Sequence, residues 1–98
     1  MQTKLKQFKL SPNLTKKARL LELAGDPTRI RILCLMFQYQ KACVSDIAGS
    51  LGMSVASISH HLQMMRDNGL FETERTGNSI CYKLVDNDFT RSLERIIC

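Results

Sequence analysis

No apolar run in this chain is longer than six residues, the longest being residues 32–37, against the roughly 20 needed to cross a bilayer. The opening residues carry no signal-peptide core, so a soluble, cytoplasmic protein with no membrane partner is expected. Glycine loops that cradle phosphate are absent. So is any nucleophile and base at a recognisable spacing, and 98 residues leave little chain for a deep pocket; neither catalysis nor a cofactor is expected. The four cysteines (Cys34, Cys43, Cys81, Cys98) never form a Cys-x-x-Cys, which argues against a zinc knuckle. His60 and His61 are adjacent, about 100° apart on a helix, and cannot grip one ion from the same face.

What is present is concentrated in residues 43–70, CVSDIAGSLGMSVASISHHLQMMRDNGL. Ile47, Ala48 and Leu51 fall at helical spacing, Ser45 is placed to cap the start, and Gly52 interrupts. Ser54 then caps a second helix that meets no proline or glycine until Gly69 closes it. At about 100° per residue, Val55, Ile58, Leu62 and Met65 share a stripe and are expected to be buried. Opposite lies His60, flanked by small and hydrogen-bonding side chains. Such a face suits a helix lying in a DNA groove: Gln63 to an adenine edge, serines and His60 to bases or phosphates, Ala56 to a thymine methyl. The plainer reading is an amphipathic helix with a solvated face.

Residues 70–75 and 79–85 both alternate, with Leu70, Ile80, Tyr82 and Leu84 as apolar members and residues 76–79 as a turn. A hairpin directly after a recognition helix is a wing. Arg75, Lys83, Asn78 and Ser79 are placed to touch phosphates or a minor groove, or merely to keep a ribbon in solution. Two helices precede this unit: residues 13–24, with Leu14, Ala18, Leu20 and Leu21 to one side, and a helix capped by Asp26 with Pro27 first, whose stripe is Ile30, Leu33, Cys34 and Phe37. A last helix starts at Asp86 or Asn87 and carries Phe89, Leu93, Ile96 and Ile97.

The fold expected is mainly α with a small β-hairpin, a dimeric winged helix-turn-helix over residues 1–98. Its parts are a flexible basic arm (1–10), dimerisation helices (11–24 and 87–98), the helix-turn-helix (45–68) and the wing (70–85). A domain this small buries only about 60 to 65% of its unfolded surface, so a second copy helps. Leu14, Ala18, Leu21, Leu93, Ile96 and Ile97 are the expected interface of a homodimer, which sets two recognition helices about one turn apart on a palindromic operator. The net charge of +5, with six of fourteen Lys and Arg in the first nineteen positions, favours double-stranded DNA as partner. The basic arm is equally well read as simply solvated. A winged helix serving only to bind protein remains the competing class, since Arg66 is the sole basic residue on the outer helix.

With LAGDPTRIRIL, the SHHL step, the NGL turn and the Tyr-x-Leu strand in order, the chain resembles the ArsR/SmtB family of small dimeric winged-helix repressors over about residues 14–84. The resemblance implies that Ser54, Ala56, Ser57, Ser59, His60 and Gln63 read DNA and that an inducer releases it. Metal-sensing members it resembles use a Cys-x-Cys where this chain has Cys43 and Ser45, and residues 1–33 hold no Cys or His. A single thiolate is no metal site, so no metal ligand set is assigned, with Cys43 as the alternative. Repressors responding to persulfides or thiol oxidation carry cysteines in the second and last helices, here Cys34 in RILCLMF and Cys98 in LERIIC. The resemblance implies a dithiol closed by reactive sulfur or an oxidant, ahead of a metal ion as inducer. The stretch from residue 82 to 98 is about one turn shorter than usual, which shifts the register of Cys98. An apolar face for Cys34 and a helix carboxyl end for Cys98 both disfavour thiolate, with only Arg91 and Arg95 to offset them. Cys43 and Cys81 read as bystanders, Cys81 being exposed beside Lys83.

Overall fold

The computed structural model describes residues 4–98. Among these residues five helices, α1 (Pro12–Ala24), α2 (Pro27–Tyr39), α3 (Val44–Leu51), α4 (Val55–Asp67) and α5 (Asp88–Ile97), accompany a sheet of β1 (Lys41–Cys43), β2 (Phe71–Thr76) and β3 (Ser79–Leu84), which packs against α2, α3 and α4. Residues 4–10, the described part of the expected arm, are exposed and outside any helix or strand. Among the described residues no helix is long and apolar enough to cross a membrane.

Local chemistry sets the boundaries. Ser11, Asp26 and Ser54 each accept the backbone N–H of the residue three on, at 3.1 Å, satisfying one of the amides a helix start leaves open. Asn87 and Thr90 close a reciprocal capping box on α5; buried Thr90 also donates to the Val85 carbonyl at 2.9 Å. α3 departs from expectation. Its cap is Cys43, without a side-chain bond to the helix, because β1 runs straight into the helix and leaves Ser45 inside its first turn. Gly52 and Gly69 end α3 and α4 at φ 67° and 82°, a region that glycine enters without a Cβ penalty.

The sheet order is β1-β3-β2, antiparallel throughout, with Phe71 opposite Leu84 and Thr76 opposite Ser79 across the Gly77 and Asn78 turn. β1 is an addition to the expected hairpin. α2 ends at Gln40 with φ 69° and ψ −37°, a conformation rare outside glycine. Its side-chain amide donates to the Phe37 carbonyl at 3.1 Å, and the turn delivers three residues alongside β3.

Ile32, Leu33, Met36, Ile47, Ile58, Leu62 and Met65 are wholly enclosed, with Leu70, Phe71 and Tyr82 closing the wing side. Phe71 and Tyr82 meet edge to face at 6.3 Å, and burial pushes the Tyr82 phenol above its ordinary value. The buried face of α2 is therefore Ile32, Leu33, Met36 and Phe37; Ile30 and Cys34 are only half-buried. Contacts on several sides, with α1, α3 and α5, widen the stripe and turn it from the one expected. Val55 also departs, at 53% exposed, since the first residue of α4 projects beyond the end of the core.

Candidate nucleic-acid interface

α4 separates its faces cleanly. Ile58, Leu62 and Met65 are fully buried, while Ser54, Ala56, His60 and Gln63 are exposed and Ser57 and Ser59 half-buried. The Gln63 amide nitrogen donates to Ser59 Oγ at 3.2 Å, one helical turn back on the same face.

Two arginines that the sequence reading passed over fix α4 and α3 to α2. Arg29 Nε donates to His61 Nδ1 at 3.2 Å, and its guanidinium also reaches the Leu23 carbonyl at 3.4 Å. Arg31 donates to the Leu51 carbonyl at 3.0 Å, at the end of α3. His61 is thus an anchor between helices, whereas His60, its ring 6.3 Å from that of His61, faces out. The available signal was the alternation of Arg29 and Arg31 beside the buried Ile32 and Leu33, since long basic side chains beside a core stripe reach along neighbouring helices.

The wing lies against this helix. Ser59 of α4 and Asn78 of the hairpin turn line one cleft of about 270 Å³, together with Cys43, Val55 and Ile80. Arg75 is exposed and has no ion pair among the described residues, whereas Arg66 is held by Asp67 at 3.2 Å and Lys41 by Glu74 at 3.1 Å. Lys83 stands opposite Glu72 in the ladder. Beyond the wing, Arg91 donates to Asp86 at 2.8 Å. That bond, with the adjacent positive charge, holds the Asp86 carboxyl below its ordinary value.

Of the residues expected at a subunit interface, Leu14 (36% exposed), Leu21 (51%) and Ile96 (74%) are uncovered, as is Ala18. Leu93 is not: it is buried in the core of its own chain, and Ile97 packs half-buried against that core. The reason is that α5 lies on α2, which turns Thr90, Leu93 and Ile97 inward.

That same packing brings Cys98 to Cys34, joined as a disulfide with Cα atoms 5.7 Å apart, within the range such a bridge needs. Cys43 and Cys81 are also paired, facing each other in the β1 and β3 ladder. Cys81 is buried at 1% exposure, not exposed as its alternation with Lys83 suggested. Among the described residues no three or more His, Cys, Asp or Glu side chains gather where they can hold a metal ion.

Residues 26–73 match the model for bacterial regulatory proteins of the arsR family. The chain is 33% identical over 72 residues to an uncharacterised HTH-type transcriptional regulator of Methanocaldococcus jannaschii, covering 74% of this chain and 81% of that one. It belongs to the ArsR family. A transcriptional repressor SmtB homolog of Synechocystis is 31% identical over 70 residues, 71% of this chain, and the match spans about half of that repressor's length (52%). Among solved structures, a winged helix-turn-helix DNA-binding domain from Mycobacterium bovis, described as homodimeric, superposes with a TM-score of 0.76 at 29% identity, over 87% of this chain and 80% of that one. The fold of this ArsR-family chain is accordingly a winged helix-turn-helix, and its relatives are DNA-binding transcriptional regulators rather than enzymes.

Proposed function

We propose that this chain is a homodimeric repressor that reads a palindromic DNA operator and releases it when Cys34 and Cys98 are joined. The observation that carries the DNA reading is the outer face of α4: exposed Ser54, Ala56, His60 and Gln63, backed by a fully buried stripe and adjoined by the wing at the cleft of Ser59 and Asn78. Ser57 and Ser59 lie at the margin of that face. Arg75 supplies an exposed charge beside it, and Lys4, Lys6 and Lys9 extend a basic arm toward the phosphates.

The homodimer rests on the exposed Leu14, Ala18, Leu21 and Ile96, and on the homodimeric state of the Mycobacterium bovis domain. In such a dimer α1 and α5 set the separation of the two α4 helices, which a palindrome requires to be about 34 Å. A bond from Cys34 to Cys98 ties α5 to α2 and so acts on that separation. With a small persulfide as oxidant the step balances: two thiols and RSSH give the protein disulfide, RSH and H₂S. Both cysteines lie on elements that pack together, whereas Cys43, the alternative centre for a metal ion, has no third ligand in reach among the described residues.

The test is fluorescence anisotropy of the reduced protein on the DNA upstream of its own gene, before and after persulfide, with Cys34→Ser alongside. Weaker binding after treatment, abolished by the substitution, is expected. Binding that ignores persulfide returns the inducer to a metal ion at Cys43. Absence of sequence-specific binding favours a protein-interaction module, a reading to which the pairing of Arg66 with Asp67 lends some weight.

A further inference from the structure

Cys43 and Cys81 do not belong to the α2 and α5 dithiol. They stand directly opposite each other where β1 pairs with β3, flanked by the pairs Ala42 with Tyr82 and Lys41 with Lys83. Their Cα atoms are 3.7 Å apart, closer than the roughly 4.4–6.8 Å usual for a bridge, so the sulfurs are within reach and the two strands must part slightly to accommodate the bond. The two thiols are unequal. Cys43 is half-buried, caps α3 without using its side chain, and lines the cleft shared with Ser59 and Asn78. Cys81 is enclosed. A helix start favours negative charge on its cap residue, and the cleft gives a small molecule access to Cys43 alone.

We propose that Cys43 and Cys81 form a second oxidant-responsive dithiol, in which Cys43 is the thiol that meets a small hydroperoxide and Cys81 the one that resolves it. The Cys43 thiol gives up its proton and its sulfur attacks the peroxide; the O–O bond breaks, the departing hydroxide or alkoxide takes up that proton, and Cys43 becomes a sulfenic acid as water or an alcohol leaves. The Cys81 sulfur then attacks the Cys43 sulfur. The S–O bond breaks, water departs with the Cys81 proton, and a disulfide remains. With hydrogen peroxide the sum is two thiols and H₂O₂ to one disulfide and two waters, two electrons passing from sulfur to oxygen. Once formed, the bond fastens β3 to the start of α3, beside the cleft where the reader helix and the wing turn meet.

The experiment uses the full chain carrying Cys34→Ser and Cys98→Ser, so that only Cys43 and Cys81 can react. After reduction, the protein is treated with hydrogen peroxide and its thiols counted in denaturant. Both thiols are expected to vanish together with a mass loss of two hydrogens and no chain-to-chain crosslink, reversibly with dithiothreitol. With Cys81→Ala added, dimedone is expected to trap a sulfenic acid at Cys43. With Cys43→Ala instead, Cys81 is expected to alkylate at least about tenfold more slowly than Cys43 does in the converse variant. If the double-serine background does not fold, peptide mapping of the oxidised natural chain gives the same answer by showing a Cys43 to Cys81 linkage. Thiols that survive peroxide, crosslinks between chains, or dimedone on Cys81 overturn the proposal. DNA enters none of these measurements, so the repressor reading stands or falls separately.

Discussion

α4 and the pair α1 and α5 differ in how completely they bury their apolar side chains. In α4, Ile58, Leu62 and Met65 are all fully buried, and apart from Val55 at its first turn the uncovered face is polar or small. On α1 and α5, Leu21 and Ile96 remain 51% and 74% exposed. Burying apolar surface is worth roughly 25 cal/mol per Å², so one chain completes the packing of α4 but leaves the flanking helices with stabilisation still to be gained. The difference separates what a single chain accomplishes from what we assign to a second copy.

The largest effect is expected in α4. Leu62→Ala leaves a cavity in the centre of the core and should lower stability by about 2–5 kcal/mol, read as a fall in the denaturant midpoint. Leu21→Ala, on an exposed surface, should cost under about 0.5 kcal/mol in dilute solution; equal losses would erase the contrast. The double change Leu21→Glu and Ile96→Glu sharpens it from the other side. It should halve the mass measured by sedimentation while the helical circular dichroism persists, and an unchanged mass would place the subunit contact elsewhere.

Smaller effects distinguish parts of the proposed reader. Gln63→Ala should cost about tenfold in affinity and relax preference at one base pair. Arg75→Ala should weaken all sequences alike and reduce the slope of log K against log salt by about 1. If Gln63→Ala also weakens all sequences alike, Gln63 does not touch a base.

The smallest effect concerns Asp86 and Arg91, where the wing hands over to α5. Because hydrogen bonding from Arg91 lowers the Asp86 carboxyl in the folded chain, the pair stabilises above the ordinary carboxylate value near 4. That contribution fades as pH falls through the lowered folded value. Both groups are exposed, so the change is slight. Asp86→Asn should flatten the acid side of the stability profile slightly, and superimposable profiles would show the bond to be idle in solution.

The features legible in the sequence are those set within a few residues. Ser54 as cap, Pro27 after Asp26, the breaks at Gly52 and Gly69, and the hairpin about Gly77 and Asn78 all follow from local backbone chemistry. The misses are tertiary. β1 is three residues without an alternating run, and only the turn at Gln40 aligns it with β3. Leu93 reads like Ile96 on a helical wheel until α5 is laid on α2. The pairing of Cys43 with Cys81 is a matter of ladder register, which residue spacing along the chain does not carry. Candidate readers on α4 were legible because one face was already committed to the core. The arginine anchors were not, because what Arg29 meets is a histidine 32 residues away.

The most direct measurement is the affinity of the reduced chain for the duplex upstream of its own gene and for a scrambled duplex of equal length, over a series of salt concentrations. Binding to the native sequence at least about 10³-fold tighter, with log K falling linearly against log salt, is expected of an operator-reading dimer. Equal affinity for the two duplexes, or affinity indifferent to salt, would contradict the assignment of α4 and the wing as DNA readers.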